Sequence, residues 1–468
     1  IRCVGNGYEY DTTNVNHQTV LQTVVDDAQP GDTIKIQGGT YTHNINDYSS
    51  ATFIDITNSG EAGLPITIEP LDGQSVHLQG FGFTEGTTIP TPTTEHLIRV
   101  TGDYIQIKNI EISGSTRGGM SITGSYGLFE NLEIHDNWDY NIIIGELDQV
   151  VEGNVLRYIE VYRSRHGSGI YIYRNNTFSN LVQNNIIEDS IAYHNGYQPD
   201  GQKVPAINGD PAGGGNSDGI VSSKNCSDLA TDYGMNNRCL GNIIRNNIVW
   251  HNADDGFDMS MGDGTLLENN IAIDNGPEGS KGFKGLRYVL GHPVYIGNIA
   301  LSNYTRGYEL RAEDTITLYH NAALHQNEQG IMASITSPSV DTVKVKNNLS
   351  VFNGFADLGV GTVVDSQSNW SEDSDGNPQL SDNSFDGAAV DLNFAIGATV
   401  QEKLTHIRTQ FETALTPTAG SPLIDAGVFV PGMHCATADD DAMQPMPLSD
   451  TSCRHWKGNS PDIGPYEY

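Results

Sequence analysis

Basic residues are scarce in this chain of 468 residues: 24 Lys and Arg stand against 58 Asp and Glu, so the net charge is −34. A nucleic-acid backbone needs a basic footprint, so we expect no nucleic-acid partner. No stretch approaches the roughly 18 uninterrupted apolar residues of a membrane span, so we expect no membrane partner. Aromatic residues make up only 8% of the chain, whereas glycine occurs 52 times. This composition favours many short strands joined by turns over long helices.

Cysteines are also few, and none has the spacing of a zinc site. Cys226 and Cys239 are close in sequence, as are Cys435 and Cys453, whereas Cys3 stands apart. We interpret the two close pairs as disulfides with Cys3 unassigned, and buried free thiols are the alternative. Disulfides form outside the cytosol, and the chain begins Ile-Arg-Cys without an initiator methionine or a leader pattern. We therefore expect a secreted, extracellular protein whose signal peptide has been removed.

An internal repeat runs along the middle of the chain. Its first element is an asparagine or a substitute for it, followed by alternating apolar residues and a polar turn. It begins at Asn109, Asn131, Tyr158, Ser190, Asn247, Asn270, Asn298, Asn321 and Asn348. A second element, a glycine followed by alternating residues, comes after a short gap, as at Gly219, Gly256 and Gly282. Short strands of period 2 that repeat in this way indicate a parallel β-helix, in which each turn stacks on the last.

The ends of the chain differ from the repeats. Residues 27–42, DAQPGDTIKIQGGTYT, resemble the opening turns of right-handed β-helix proteins. We therefore predict an all-β fold, a single right-handed parallel β-helix with capped ends and long loops around a cleft. One domain is expected to span residues 1–468, with solenoid turns and cap at about 27–415 and a tail at about 416–468 packed on the solenoid. Residues 395–415 contain the best candidate for a helix.

Aligning the second element across turns places charged residues in two columns. The residue before the glycine is Asp218, Asp255, Lys281, Arg306 and Gln329 on successive turns. The residue two places after it is Val221, Asp258, Lys284, Glu309 and, with a slip of one, Ala333. Adjacent strands of a sheet lie about 4.8 Å apart. The alignment thus predicts a cluster of Asp218, Asp254, Asp255 and Asp258 beside Lys281 and Lys284.

Carboxylates at such close range repel one another, and a hard cation is one way to relieve the repulsion. Ligands that are all oxygen favour Ca²⁺. Solvated turn aspartates in an acidic chain are the alternative. A Ca²⁺ site beside a lysine suits removal of the C5 proton of a uronate, because the metal stabilises the developing charge and a neutral lysine accepts the proton. The metal would also bridge an acidic protein to an acidic polymer.

Three segments resemble the core of the polysaccharide lyase family 9 pectate lyases: NSDGIVSSKN (216–225), NIVWHNADDGFDM (247–259) and GSKGFKGL (279–286). VTGDYIQIKNIEIS (100–113) and SPDIGPYEY (460–468) add to the likeness. The resemblance implies a secreted right-handed parallel β-helix enzyme that uses Ca²⁺ and a lysine base. Its calcium ligands fall on Asp218, Asp254, Asp255 and Asp258, and its catalytic lysine falls on Lys284. Lys284 is followed by Gly-Leu-Arg where the family pattern has Leu-Gly-Gly. The resemblance therefore supports the assignment of the metal ligands more strongly than the assignment of the substrate.

The leading hypothesis is a monomeric, calcium-dependent lyase that cleaves a 4-linked polyuronate, with polygalacturonate as the default substrate. Cations near the cluster are candidates to bind the acidic polysaccharide. They are Arg165, Lys224, Lys281, Arg287, Arg306 and Arg311. One alternative is an inverting β-helix glycoside hydrolase that uses Asp254 or Asp255 together with Asp258. A second alternative is a non-catalytic adhesin or carbohydrate-binding β-helix in which the acids hold structural calcium.

Overall fold

The computed structural model describes most of the chain. The described residues are 1–13, 16–43, 52–82, 96–146, 149–173, 181–205, 213–222, 239–259, 265–276, 281–285, 293–312, 315–335, 343–355, 358–360, 364–371, 378–428 and 460–466. Lys224, Arg287 and the cysteines Cys226, Cys435 and Cys453 lie outside these ranges. Cys3 is a free cysteine and Cys239 is buried. Both disulfide pairings therefore stay predictions.

Short parallel strands build three long sheets, here called A, B and C, and a pair of two-residue strands. Within the described residues, sheet A has 13 strands, sheet B has 12 and sheet C has 11, and every strand pair is parallel. One turn of the chain passes through A, B and C in that order, as Leu266–Glu268, Ile271–Ile273 and Lys281–Gly285 do. The next turn pairs with it strand for strand, which is the predicted parallel β-helix.

The strand bounds follow the repeat. Sheet A consists of Arg2–Val4, Thr33–Ile36, Ile66–Pro70, Ile105–Lys108, Leu128–Glu130, Val155–Arg157, Ile186–Glu188, Ile243–Arg245, Leu266–Glu268, Val294–Ile296, Ile316–Tyr319, Val343–Lys346 and Val364–Gln367. Sheet B consists of Gly39–Thr42, Val76–Gln79, Ile110–Ser113, Glu133–His135, Glu160–Tyr162, Ile191–Tyr193, Ile248–Trp250, Ile271–Ile273, Ile299–Leu301, Ala322–Leu324, Leu349–Val351 and Trp370–Ser371. Sheet C consists of Ile54–Ile56, Ile98–Val100, Met120–Ile122, Ile142–Ile144, Ile170–Ile172, Ile220–Ser222, Phe257–Met259, Lys281–Gly285, Arg306–Ala312, Ile331–Ile335 and Leu358–Val360. The short pair is Val151–Glu152 with Val182–Gln183.

The alternation of side chains in sheet C separates the core from the outer face. Phe257, Phe283 and Tyr308 point inward on successive turns, and their rings stack at centroid distances of 4.9 and 4.8 Å. All three are fully buried. Because side chains alternate along a strand, the residues that follow them point outward. Those residues are Asp258, Lys284 and Glu309, which lie in register with one another.

Buried asparagines tie consecutive turns together at the corner between sheets A and B. The Nδ2 of Asn247 donates to Oδ1 of Asn270 at 3.1 Å, and Asn270 donates in the same way to Asn298 at 2.9 Å. The ladder continues through Asn321 and Asn348. These hydrogen bonds form an asparagine ladder along the stack of turns. The preceding asparagine of each doublet is left-handed, as at Asn246, Asn269 and Asn347, with φ of 59, 52 and 59°.

Two further ladders occupy the other corners. Asn195, Asn252 and Asn275 bond in series at the corner that leads from sheet B into sheet C. Asn185 belongs to a third ladder, with Asn154 and Asn242, at the corner that leads into sheet A. The doublet at Asn185 therefore occupies a different corner from the doublets at Asn247 and Asn270, although all of them look alike in the sequence.

One helix lies along the flank of the solenoid, and another lies near the N-terminus of the chain. The predicted C-terminal helix is Val400–Leu415, with a capping box formed by Thr399 and Glu402. It packs its apolar face onto the outer side of sheet B in a cluster that also contains Leu423 and Ile463 of the tail. A second helix, His17–Asp26, was not predicted, and the strand before it, Arg2–Val4, already pairs with sheet A. No helix of the described residues is long and apolar enough to cross a membrane.

The predicted register needs one correction. Glu309 pairs with Met332, and Leu310 pairs with Ala333. The predicted slip of one residue is therefore wrong, because the outward residue is two places after the glycine on this turn as well, counted from Gly330. Met332, not Ala333, occupies the outward column.

We predict that Asn270→Ala lowers the free energy of unfolding by about 2–3 kcal/mol, because it leaves buried donors and acceptors of the adjoining turns unpaired. Asn270 is fully buried and also donates to the carbonyl of Ile244 at 2.8 Å. Denaturant unfolding followed by circular dichroism measures the change. Asn327→Ala is the matched control, since that exposed side chain makes one bond, to a backbone carbonyl. Equal effects of the two variants would contradict a stabilising ladder.

Candidate metal centre and its lysine

Three aspartates meet on the outer face of sheet C where its strands begin. Asp218 and Asp255 each directly precede the glycine that opens a strand, and Asp258 points outward from the strand Phe257–Met259. A Cβ on Gly256 would lie 2.8 Å from the carbonyl oxygen of Gly282. Only glycine therefore lets successive turns approach this closely, which stacks the acidic positions above one another.

The backbone orients the buried carboxylates. The amide of Asp255 donates to Oδ1 of Asp218 at 2.9 Å, and the amide of Lys281 donates to Oδ1 of Asp255 at 2.7 Å. One turn earlier, the amide of Asp218 donates to Oγ of Ser168 at 3.1 Å. Asp218 and Asp255 thus each use one carboxylate oxygen to accept a hydrogen bond from the backbone of the next turn. The other oxygen of Asp255, Oδ2, points to the lysine described next.

Lys284 closes the group. Its Nζ donates to Oδ2 of Asp255 at 2.7 Å and to Oδ2 of Asp258 at 2.8 Å. Lys284 and Asp258 are direct partners on adjacent strands, as the sequence alignment predicted. Carboxylate oxygens of Asp218, Asp255 and Asp258 all lie within 4.8 Å of one another. A lysine and three carboxylates therefore share one small site.

The electrostatics of this site are those of crowded, buried acids. Burial raises the pKa of Asp218 well above its usual value, and the charges of the neighbouring aspartates add to the rise. Burial likewise raises the pKa of Asp255 to about 6, although Lys284 opposes it. The pKa of Asp258 is raised by burial too. Burial lowers the pKa of Lys284, but the facing aspartates outweigh this and hold it above its usual value.

The donor set fits a calcium ion. Its ligand atoms are carboxylate oxygens, Asp255 is fully buried, and Asp218 is 5% exposed. Buried carboxylates with raised pKa values are what a divalent cation would stabilise. Among the described residues the close group holds three of the four predicted aspartates. Asp254 is not one of the three, but its charge raises the pKa of both Asp218 and Asp255, so it lies close by.

A cationic patch follows on the next turns of the same sheet. Arg306 Nη1 and Arg311 Nη2 donate to the two oxygens of Glu309 at 2.5 and 2.9 Å. Lys281 Nζ lies 3.8 Å from the same carboxylate. Glu328 also pairs with Arg306, so this group contains three cationic side chains and two carboxylates. The structure therefore gathers three of the predicted substrate-binding residues beside Lys284, in a chain that is otherwise strongly acidic.

Arg165 has a different environment. Its side chain is 4% exposed, and its Nη1 donates to the carbonyl of Tyr197 at 2.8 Å. Its Nη2 donates to Asp136 at 3.3 Å. This burial argues against the predicted contact with substrate and indicates that Arg165 holds the corner between sheets B and C together.

One residue of the site, Ser168, was missed in the sequence, and so was the role of a second, Glu309. Ser168 directly precedes Gly169 and so occupies the column of Asp218 one turn earlier, where extending the alignment by one repeat finds it. Glu309 was aligned, but its function as the shared partner of three cations depends on the directions of their side chains. No sequence pattern reports those directions.

Comparison with known proteins gives one family match. A family profile described as the Pel9A-like right-handed β-helix region matches residues 5–348, which include the three aspartates and Lys284. The chain is 25% identical over 278 residues to pectate lyase L of Dickeya chrysanthemi, which covers 53% of this chain and 64% of that protein. It therefore spans less than two thirds of that relative. It is 23% identical over 362 residues to pectate lyase L of Paenibacillus polymyxa strain SC2, with 67% and 70% coverage.

A solved structure shares the architecture. The crystal structure of pectate lyase Pel9A superposes with a TM-score of 0.56 at 20% identity, covering 95% of this chain and 90% of the other. At this identity the likeness shows the fold alone. The right-handed parallel β-helix predicted from the repeats is thereby confirmed.

We predict that Ca²⁺ raises the melting temperature more at pH 7 than at pH 5. The pKa of Asp255 is about 6 in the folded protein and about 4 in an unfolded chain, so the metal-free fold loses stability as pH rises between these values. A bound cation reverses this preference, because it needs the ionised carboxylates. Differential scanning calorimetry with Ca²⁺ and with chelator measures both shifts.

Two variants separate this site from general binding to an acidic surface. Asp255→Asn removes a buried ligand and is expected to abolish most of the calcium shift. Asp72→Asn removes a carboxylate whose side chain is 93% exposed and is expected to keep the shift. A calcium shift that is the same at both pH values, or that survives in Asp255→Asn, would rule out this metal centre.

Proposed function

The chain belongs to the family of Pel9A-like right-handed β-helix proteins, and we propose that it is a calcium-dependent polysaccharide lyase acting on a 4-linked polyuronate. The resemblance of its motifs to polysaccharide lyase family 9 predicted this membership. Relatives named pectate lyase support lyase chemistry and make polygalacturonate the first substrate to test. The arrangement of the site's own residues supports the finer proposal, which assigns the metal ligands and the base.

One observation carries the proposal: the Nζ of Lys284 lies between Asp255 and Asp258, beside a cationic patch on the same face. A base for β-elimination must reach a proton next to a carboxylate group. Cations close to that base can hold the carboxylate. Lys281, Arg306 and Arg311 supply them, and their shared partner Glu309 keeps them in place.

Asp218, Asp255 and Asp258, with Asp254 beside them, would hold the calcium ion. When bound, the ion supplies positive charge that stabilises the enolate-like transition state and offsets the charge of its ligands. Without it the aspartates hold the pKa of Lys284 above its usual value, so the lysine stays protonated. Neutralising those carboxylates frees Nζ from its ion pairs and favours the amine form.

The reaction then follows from the position of Lys284. Its neutral amine takes the proton from C5 of the uronate, the C4–O bond breaks, and a C4=C5 double bond forms. The departing sugar oxygen gains a proton from water, and the lysine ammonium returns its proton to the hydroxide that remains. The products are a new non-reducing end with an unsaturated uronate and a normal reducing end, with no change in oxidation state.

The geometry disfavours the hydrolase alternative for the pair Asp255 and Asp258. An inverting glycosidase needs carboxyl groups about 6.5–9.5 Å apart to leave room for water. The carboxylate oxygens of Asp255 and Asp258 lie within 4.8 Å of each other. A binding protein with structural calcium has no use for a lysine among the ligands, which makes it the weaker reading. An extracellular location remains part of the proposal, because polyuronates are polymers of cell walls and matrices.

We predict that the protein generates ultraviolet-absorbing unsaturated ends from one of polygalacturonate, rhamnogalacturonan, alginate or glucuronan. Chelator is expected to abolish the rise in absorbance, and added Ca²⁺ to restore it. The polymer that responds identifies the substrate. New reducing ends without absorbance would indicate hydrolysis instead, and a flat trace with no new ends on all four polymers would overturn the lyase proposal.

We predict that Lys284→Ala lowers kcat by about 10³-fold or more, because it removes the proton acceptor. The same variant is expected to bind Ca²⁺ more tightly, since the ammonium no longer competes for Asp255 and Asp258. Initial rates and calorimetric titration with Ca²⁺ give the two readouts. Lys346→Ala is the matched control, because this lysine pairs with Asp365 on sheet A at 3.0 Å. Full activity of Lys284→Ala would refute the assignment of the base.

A further inference from the structure

The outer face of sheet C has a different character on each side of the metal centre. Towards the C-terminus the outward column continues from Asp258 to Lys284 and Glu309, all charged. Towards the N-terminus it continues from Asp258 to Val221 and then Tyr171, neither of which carries charge. Among the described residues of this column, a polymer that crosses the metal centre therefore meets charged side chains on one side and uncharged side chains on the other, here called the uncharged side.

Three tyrosines form a continuous aromatic surface on the uncharged side. The ring centroids of Tyr140 and Tyr171 are 4.4 Å apart, and those of Tyr171 and Tyr173 are 5.3 Å apart. All three side chains are partly exposed. We call Tyr140, Tyr171 and Tyr173 the tyrosine surface.

The register places the tyrosine surface next to the metal ligands. Tyr171 is two strands from Asp258, with Val221 between them. Tyr140 directly precedes Asn141, whose amide bonds to Ser168, and Ser168 is one turn before Asp218. At about 4.8 Å per strand, Tyr171 lies about 10 Å and Tyr140 about 14 Å along the sheet from Asp258. Burial raises the pKa of the Tyr140 hydroxyl, and the charge of Asp139 and, to a smaller extent, that of Asp218 add to the rise.

The chemistry of this surface differs from that of the cationic patch. Tyrosine rings offer apolar faces to the C–H faces of sugars, and their hydroxyls offer hydrogen bonds. An ionised carboxylate placed against them would lose hydration without gaining a cation. Arg117, one turn beyond Tyr140, already pairs with Glu146. The surface is thus suited to a sugar ring that bears no charge.

We propose that the tyrosine surface binds an uncharged sugar residue of the polymer beside the metal centre, while the cationic patch binds ionised uronates on the other side. The uncharged residue is either an esterified uronate or a neutral sugar that alternates with uronates. Both present the same chemistry to the tyrosines. This inference rests on the proposed function and names the substrate pattern that the same cleft selects.

The test uses binding, so that it stands even if cleavage fails. Calorimetry is done on the full chain carrying Lys284→Ala, with Ca²⁺, against three oligosaccharides of equal length. One is a fully ionised oligogalacturonide, the second is its partly methyl-esterified form, and the third alternates galacturonate with rhamnose. Adding Tyr171→Ala is expected to weaken binding of the second or the third about tenfold, which corresponds to about 1.4 kcal/mol. Binding of the fully ionised oligomer is expected to change by less than about twofold.

A second variant and a control sharpen the result. Tyr171→Lys replaces the ring with a cation and is expected to shift the preference towards the fully ionised oligomer. Tyr319→Ala is the matched control, a half-buried tyrosine on sheet A, and is expected to change none of the three affinities. Melting temperatures with and without Ca²⁺ show whether each variant folds and keeps its metal centre.

The outcomes separate the inference from the function. If the wild-type chain cleaves no polyuronate but the affinities change as described, the sugar-binding surface stands and the lyase proposal falls. If it cleaves polyuronate but Tyr171→Ala weakens all three oligomers equally, the lyase stands and the preference for an uncharged residue is wrong. If neither the esterified nor the alternating oligomer binds, the inference is overturned as well.

Discussion

The stacking of one turn on the next, with strands in parallel register, is the constraint on which the rest of this structure depends. Side chains alternate between core and outer face, so register decides which residues meet. The inward rings of Phe257, Phe283 and Tyr308 and the asparagine ladders hold that register. Because the spacing is enforced every turn, Asp258 and Lys284 become neighbours although 25 residues separate them.

The same stacking gathers positive charge on one face of a very acidic protein. Buried carboxylates at Asp218 and Asp255 are unfavourable by themselves, and their raised pKa values reflect that strain. Such carboxylates are suited to binding a divalent cation. The adjacent patch around Glu309 concentrates positive charge on the same face. Positive charge is thus concentrated locally along one sheet, although the chain as a whole is strongly negative.

Repeats allowed much of the fold to be predicted, because each asparagine and glycine recurs where a turn must close. The helix at Val400–Leu415, which has 16 residues, was found from its pattern, whereas His17–Asp26 was not, since it has only 10 residues and half of them are β-branched Thr or Val. Ala333 was assigned to the outward column by counting three places from Gly330 instead of two, and the strand pairing corrects this to Met332. Doubled asparagines also look alike in sequence although they occupy different corners, because a corner is defined only by the sheets that it joins.

The sequence by itself determined the β-helix, the register of the charged columns and the meeting of aspartates with Lys284, because a strict repeat converts chain position into position in space. Only the tertiary structure decided where side chains point and how deeply they are buried. It showed Arg165 enclosed at a corner, Glu309 shared by three cations, and tyrosines gathered near the candidate metal centre. Those features arise from packing between turns and from the directions of long side chains, which a one-dimensional pattern does not encode.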